Sequence, residues 1–311
     1  MHTGRHVFRG GRPFHLAVFA LLLLFAVAAE VHIATGSARA VLLSFKPEPP
    51  SELLAHPERV NVPGLVSVAF AGADDARITG WFVPPASKNA GTVILLHGTS
   101  ADRTSMLPEL RILANAHLGV LAFDSPGYGT SQGKIHWSEG ERDALEGAVD
   151  FLSHRRDVDP NRIGALGFSM GGYILAQVAA TDRRLRALVF AATPSDAREQ
   201  TAWEARRWGV LSRIPASVTL EYFSGMPVED ESAISCMPKL APRPLLFVAG
   251  DADMTVPPPM TNALYAAARA PKALWFVPGA HHGGYTSIAP SVYGARIAAF
   301  FGAALGAPTS T

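Results

Sequence analysis

Between residues 161 and 179 the chain passes from one apolar run through a G-x-S-x-G pattern into a second apolar run of a different period. No other stretch limits the available folds so much. Asn161-Arg162-Ile163-Gly164-Ala165-Leu166-Gly167 reads as a short buried strand, whereas Met170, Ile174, Leu175, Val178 and Ala179 recur at helical spacing. Ser169 stands at the junction, between Gly167-Phe168 and Met170-Gly171. A strand that becomes a helix across one residue requires a sharp turn, and glycines on either side remove the Cβ atoms that would keep strand and helix apart. The serine is then expected in a strained backbone conformation, with its hydroxyl facing outward at the positive end of the helix dipole. A serine hydroxyl is a weak nucleophile by itself, so the pattern demands a base, a carboxylate to orient the base, and donors for an oxyanion.

The rest of the chain alternates in a way that can supply them. Strands are expected at 66–70 and 77–83, joined by the Gly72-Ala73-Asp74-Asp75 turn, and then at 91–96, 119–123, 187–192, 244–249 and 273–278. Helical spacing falls at 106–117, 138–154, 261–269 and 291–301, with Ser138 and Glu141 set as a capping box. Strands alternating with helices predict an α/β fold: a mostly parallel sheet covered by helices on both faces, with its ligand site beyond the carboxyl ends of the strands.

The candidates all fall at those ends. Leu96-His97-Gly98-Thr99 turns off a strand so that the N–H of Thr99, with that of Met170, makes a two-donor oxyanion hole. His97 reads as a residue that shapes this loop. After the strand 244–249 comes Gly250-Asp251-Ala252-Asp253-Met254-Thr255-Val256-Pro257, where Asp253 is the orienting carboxylate of choice and Asp251 a turn cap through its own backbone. Asp251 is the first alternative for that role, and Asp196, after the preceding strand, a distant third. Gly279-Ala280-His281-His282-Gly283-Gly284 then offers two histidines on a glycine-flanked loop; His282 is preferred as base, with His281 a loop residue. The order Ser, Asp, His along the chain fits this arrangement.

These residues, together with Asp124-Ser125-Pro126-Gly127-Tyr128-Gly129-Thr130-Ser131, make the chain from about Val60 onward resemble an α/β-hydrolase-fold serine hydrolase. The resemblance is strongest to the Bem46-like and dienelactone-hydrolase-like or prolyl-oligopeptidase-like esterases. It implies two-step acyl transfer on a small-molecule ester or thioester, less readily a peptide, with no metal or organic cofactor. It also implies that Asp124 shapes a turn after the fourth strand. Dienelactone hydrolases use cysteine where this chain has Ser169, and Cys236 lies far from any elbow, which argues against that substrate.

Composition bounds what remains. Lys+Arg 27 against Asp+Glu 26 gives a net charge of +1 and no electrostatic case for nucleic acid. One cysteine excludes an internal disulfide, and no paired Cys/His set has zinc-ligand spacing. Arg5, Arg9 and Arg12 precede an apolar run from Phe14 to Ala29, the pattern of an export signal or an uncleaved anchor that would leave the later residues outside the cytoplasm. Ala26-Val27-Ala28 fits a cleavage site. The expected organisation is a signal peptide or anchor over 1–35, a proline-ended linker over 36–59 and a catalytic domain over 60–311. Residues 194–242 interrupt the strand-helix rhythm as a cap. There Trp203, Trp208, Tyr222 and Phe223, with Met226, either roof an apolar substrate pocket or cover the core of the sheet.

Overall fold

Val93, Ile94, Leu95, Val120, Leu121 and Ala122 are all inaccessible to solvent, as a strand buried on both faces must be. The computed structural model describes residues 11–44, 47–135, 139–206 and 232–306. Within them, β1 (Val66–Ala71), β2 (Arg77–Val83), β3 (Thr92–Leu96), β4 (Gly119–Phe123), β5 (Ile163–Phe168), β6 (Leu185–Ala191), β7 (Leu245–Gly250) and β8 (Lys272–Val277) form one sheet in the order β1-β2-β4-β3-β5-β6-β7-β8. Only β2 runs against its neighbours. The mostly parallel α/β architecture expected from the sequence is therefore present.

Alternate residues of each strand feed different faces. Ile94 and Leu96 pack with Phe82, Leu121, Ala165 and Phe190, under α3 (Glu139–Ser153), α4 (Met170–Thr181) and α7 (Pro258–Ala267). Val93 and Leu95 pack with Trp81, Val120, Leu166 and Val248, under α2 (Leu107–Asn115) and α9 (Pro290–Leu305). The remaining described helices are α1 (Gly11–Ser44), α5 (Ala197–Ala205), α6 (Ala233–Cys236) and α8 (Tyr285–Ile288). Because the chain leaves β3 first toward β4 and later returns to β3's other side as β5, the strand order reverses between β3 and β5, and the crevice opens there. Leu96 and Gly167 are the last registered pair of that junction.

Three details add to the sequence reading. The apolar N-terminal run sits in a helix that continues to Ser44, well past residue 35; its Phe14–His32 segment has a mean hydropathy of 2.3, is not buried, and is long and apolar enough to cross a membrane. The segment read as a linker, 36–59, carries short helical turns of its own. Glu52–Ala55 and Pro57–Val60 are one-turn helices that send Leu54 and Val60 into the core, held by Ser51 N–H on Asp102 Oδ2 (3.0 Å) and Arg111 Nη2 on Val60 O (3.0 Å). The third helix begins at Glu139; the proposed Ser138 cap lies outside the described residues.

Two buried charges bind the layers to one another. Arg243 spends its guanidinium on carbonyls at the end of α4 and the start of β6: Ala179 O (2.5 Å), Asp182 O (3.1 Å) and Leu185 O (3.1 Å), with Nε on Leu240 O (2.9 Å). Burial pulls it down to about 10, still far enough above neutral pH to leave it a cation. Asp124, after β4, accepts the Arg103 amide (2.8 Å), the Thr130 amide (2.9 Å) and the Arg103 guanidinium, which lies over the Trp81 ring. It is a structural hub of the turn, in line with the role the resemblance implied.

At the end of β3, His97 is fully buried. Its Nδ1 is 2.7 Å from Gly98 O and its Nε2 accepts the Ser125 amide at 3.0 Å, so the ring is neutral with the proton on Nδ1. Burial holds it below the ordinary histidine range.

Arg243→Met should lower the unfolding free energy by about 3 kcal/mol in urea titration, because several buried carbonyls lose a charged donor together. Since folding depresses the His97 titration, the unfolded chain takes up its proton first as pH falls. The stabilisation is whole above the unfolded value and declines below it. Urea midpoints should show up to about 1.4 kcal/mol lost per pH unit below roughly 6.5, a component absent from His97→Asn.

Candidate active site

The turn from β5 to α4 leaves no room for side chains at its glycines. A Cβ on Gly167 would sit 2.4 Å from Gly171 O, and one on Gly171 would sit 2.6 Å from Leu96 O and 2.7 Å from His97 O. With side chains excluded, the strand enters the helix through Ser169 alone, at φ 53° and ψ −118°. A non-glycine residue held at positive φ costs roughly 1–3 kcal/mol. It is retained here by the Ser169 amide on Ala191 O (2.8 Å) and by its carbonyl, which accepts the amides of Gly172 (3.0 Å) and Tyr173 (3.2 Å). The side chain is left half-exposed at the helix N-terminus.

Ser169 Oγ lies 3.1 Å from His282 Nε2, and His282 Nδ1 lies 2.8 Å from Asp253 Oδ2. Loops after three different strands thus bring their side chains into one hydrogen-bonded line. Asp253 has no exposed surface, and its second oxygen accepts the amides of Thr255 (2.8 Å) and Val256 (2.9 Å). A carboxylate so held draws the imidazole proton to Nδ1, leaving the Nε2 lone pair toward the serine. Gly283 and Gly284 take positive φ on the histidine loop, and the Phe168 ring, 5.0 Å from the imidazole centroid, walls one side.

The alternatives are elsewhere. Asp251 is exposed and accepts the amide of Gly279 (2.7 Å), which ties the acid loop to the histidine loop rather than capping its own turn. His281 is exposed, with Nδ1 3.0 Å from Ala252 O. Asp196 caps α5 by accepting the amides of Arg198 and Glu199.

A Cβ on Gly98 would lie 3.3 Å from Ser169 Cβ, so the loop after β3 runs directly against the elbow. Thr99, half-exposed, follows Gly98 on that loop, and Met170 is the first residue of α4. Trp203 lies on α5, with its indole N–H donated to Met254 O at 2.9 Å. Trp208, Tyr222, Phe223 and Met226 lie outside the described residues. Among the described residues, no group of three His, Cys, Asp or Glu side chains could hold a metal ion.

Sequence reasoning missed Phe168 as a wall of the histidine, although its place inside the G-x-S-x-G pattern was a signal. It also missed Tyr285, a buried tyrosine directly after the histidine loop. Gln200 of α5 donates to Thr255 O at 2.9 Å, a partner 55 residues away that no local pattern announces.

Residues 91–214 match the family model described as alpha/beta hydrolase fold. The chain is 31% identical over 224 residues to the uncharacterized protein YfhR of Escherichia coli strain K12, covering 70% of this chain and 72% of that one. It is 30% identical over 238 residues to the uncharacterized protein Rv2307c of Mycobacterium tuberculosis strain H37Rv, covering 74% and 79%. The putative hydrolase YtaP of Bacillus subtilis is 29% identical over 160 residues, covering 47% and 50%. Among solved structures, the Pyrococcus furiosus esterase Pf2001 superposes with a TM-score of 0.69 at 21% identity, over 84% of this chain and 98% of that one, a likeness of fold. The sheet order, the family match and relatives covered over more than two thirds of their length agree, and the chain belongs to the alpha/beta hydrolase fold family, as a hydrolase with esterase-like structural neighbours.

Proposed function

We propose that this hydrolase is a serine esterase of the Bem46-like and dienelactone-hydrolase-like group, cleaving carboxylic esters or thioesters through Ser169, His282 and Asp253. The observation that carries the reading is the unbroken line from Ser169 Oγ through His282 to a fully buried Asp253. As the hydroxyl oxygen attacks the substrate carbonyl carbon, its proton passes to His282 Nε2. Asp253 keeps the imidazole in the reactive tautomer and stabilises the cation that forms. Charge developing on the carbonyl oxygen meets the amides of Thr99 and Met170, the second at the N-terminus of α4 where the dipole adds to it. Collapse of the tetrahedral adduct breaks the bond to the alcohol or thiol, which leaves with the proton from His282. Water then repeats the sequence on the acyl-serine, with His282 as base, and releases the acid.

Strain at Ser169 suits this role, because the backbone arrives with the hydroxyl already aimed and little is left to order during reaction. The apolar α1 supports a further part of the proposal: the protein is exported or anchored through this segment, with the catalytic body outside the cytoplasm.

Ser169→Ala should abolish fluorophosphonate labelling and lower turnover of p-nitrophenyl esters by about a million-fold. Asp253→Asn should cost roughly ten-thousand-fold while Asp251→Asn stays near the native rate. Native-like turnover in Ser169→Ala would sink the assignment of the nucleophile. Localisation has its own readout. Carbonate-washed membranes of the producing cell should retain the intact chain if the helix is an anchor, whereas N-terminal sequencing should find residues 1–28 missing if it is a cleaved signal.

A further inference from the structure

The loop bearing Asp253 is held from two sides at once. On one side, Asp253 Oδ1 accepts the amides of Thr255 (2.8 Å) and Val256 (2.9 Å). On the other, the carbonyls of the same two peptide groups face α5 of the insert. Met254 O, which shares a peptide with the Thr255 amide, accepts Trp203 Nε1 at 2.9 Å and Arg206 Nη2 at 3.3 Å. Thr255 O, which shares a peptide with the Val256 amide, accepts Gln200 Nε2 at 2.9 Å. Gln200 and Trp203 are three residues apart, so they stand on one face of the helix and reach successive carbonyls. Arg206 lies over the Trp203 ring, 3.3 Å from its centroid, and ties back to Trp203 O at 2.7 Å.

A peptide group is planar, so a fixed carbonyl also fixes the direction of its amide. Hydrogen bonds in series polarise one another, so a donor on the carbonyl strengthens the amide as a donor to the carboxylate. With Oδ1 pinned by two such amides, the carboxyl group cannot turn, and Oδ2 stays on His282 Nδ1. We infer that Gln200 and Trp203 are positioning residues for Asp253, through which the insert helix sets the orientation of the carboxylate from outside the sheet. The inference rests on the Ser169, His282 and Asp253 reading above. It gives Trp203 a task other than lining a substrate pocket.

The test uses the full-length chain, with p-nitrophenyl butyrate kinetics and the far-downfield proton resonance of the His282 Nδ1 hydrogen bond. Gln200→Leu/Trp203→Phe removes both donors while keeping side-chain bulk and a ring for Arg206. It should lower kcat by roughly 10- to 100-fold, with KM changed by less than about threefold, as expected when orientation and not binding is lost. In an Asp253→Asn background, the same pair should cost less than about threefold, because the route it acts through is already cut. The downfield resonance should broaden or move upfield. Gln200→Leu alone leaves the stack of Arg206 on Trp203 intact, and should lower kcat by about threefold if the paired variant folds poorly. An unchanged kcat and resonance in the paired variant would overturn the inference, and so would an equal loss in both backgrounds, which would mark a general disturbance of α5. If Asp253→Asn alone turned over at the native rate, the triad reading would fail and take the inference with it, and that variant identifies this failure separately.

Discussion

Backbone contact at the carboxyl ends of β3 and β5 is the constraint on which the rest of the rim depends. The strand, the helix after it and the neighbouring loop meet so closely that a Cβ on Gly167, Gly171 or Gly172 would lie between 2.0 and 2.6 Å from another atom. That proximity forces one residue to make the whole turn from strand to helix. It sets the positive φ of Ser169 and lays Gly98 against the same residue. The strain is offset by what the turn delivers: Ile174, Leu175, Val178 and Ala179 of α4 reach the core with almost no exposed surface.

Buried charge is handled in a consistent way throughout the sheet. Arg243 is satisfied by four backbone carbonyls, Asp253 by two backbone amides and one imidazole, and Asp124 by two amides and a guanidinium. Backbone partners cannot rotate away, so the groups keep their direction in a low-dielectric setting. His97 obeys the same logic in neutral form, with one ring nitrogen donating and the other accepting. The polar groups at the strand ends therefore form a rigid frame, and the half-exposed Ser169 and His282 lie at its edge.

The segments outside the α/β body are attached unequally. The turns at 52–60 belong to the core through Leu54 and Val60, whereas the apolar part of α1 leaves its side chains exposed. An exposed apolar helix of that length is stable only against lipid or another apolar surface. The insert, by contrast, grips the acid loop through α5, which links it to a fully buried carboxylate.

Local chemistry in the sequence was enough to locate the strands to within a few residues, because runs such as Thr92-Val93-Ile94-Leu95-Leu96 can be buried on both faces only as central strands. It was also enough to single out the G-x-S-x-G turn. It ordered the serine, aspartate and histidine candidates, since each lies just past a strand end beside a glycine. Other features were beyond its reach. Helices of four residues, such as Ala233–Cys236 and Tyr285–Ile288, are too short to carry a period. The partner of Asp251 turned out to be an amide 28 residues away, and those of Gln200 and Trp203 are carbonyls 55 and 51 residues away. A hydrogen bond to a distant backbone group depends on where two loops meet in space and leaves no mark on the residues nearby. Periodicity and turn chemistry thus determined the layers and the candidate residues at the strand ends, while only tertiary packing decided which carboxylate meets the histidine and what holds it there.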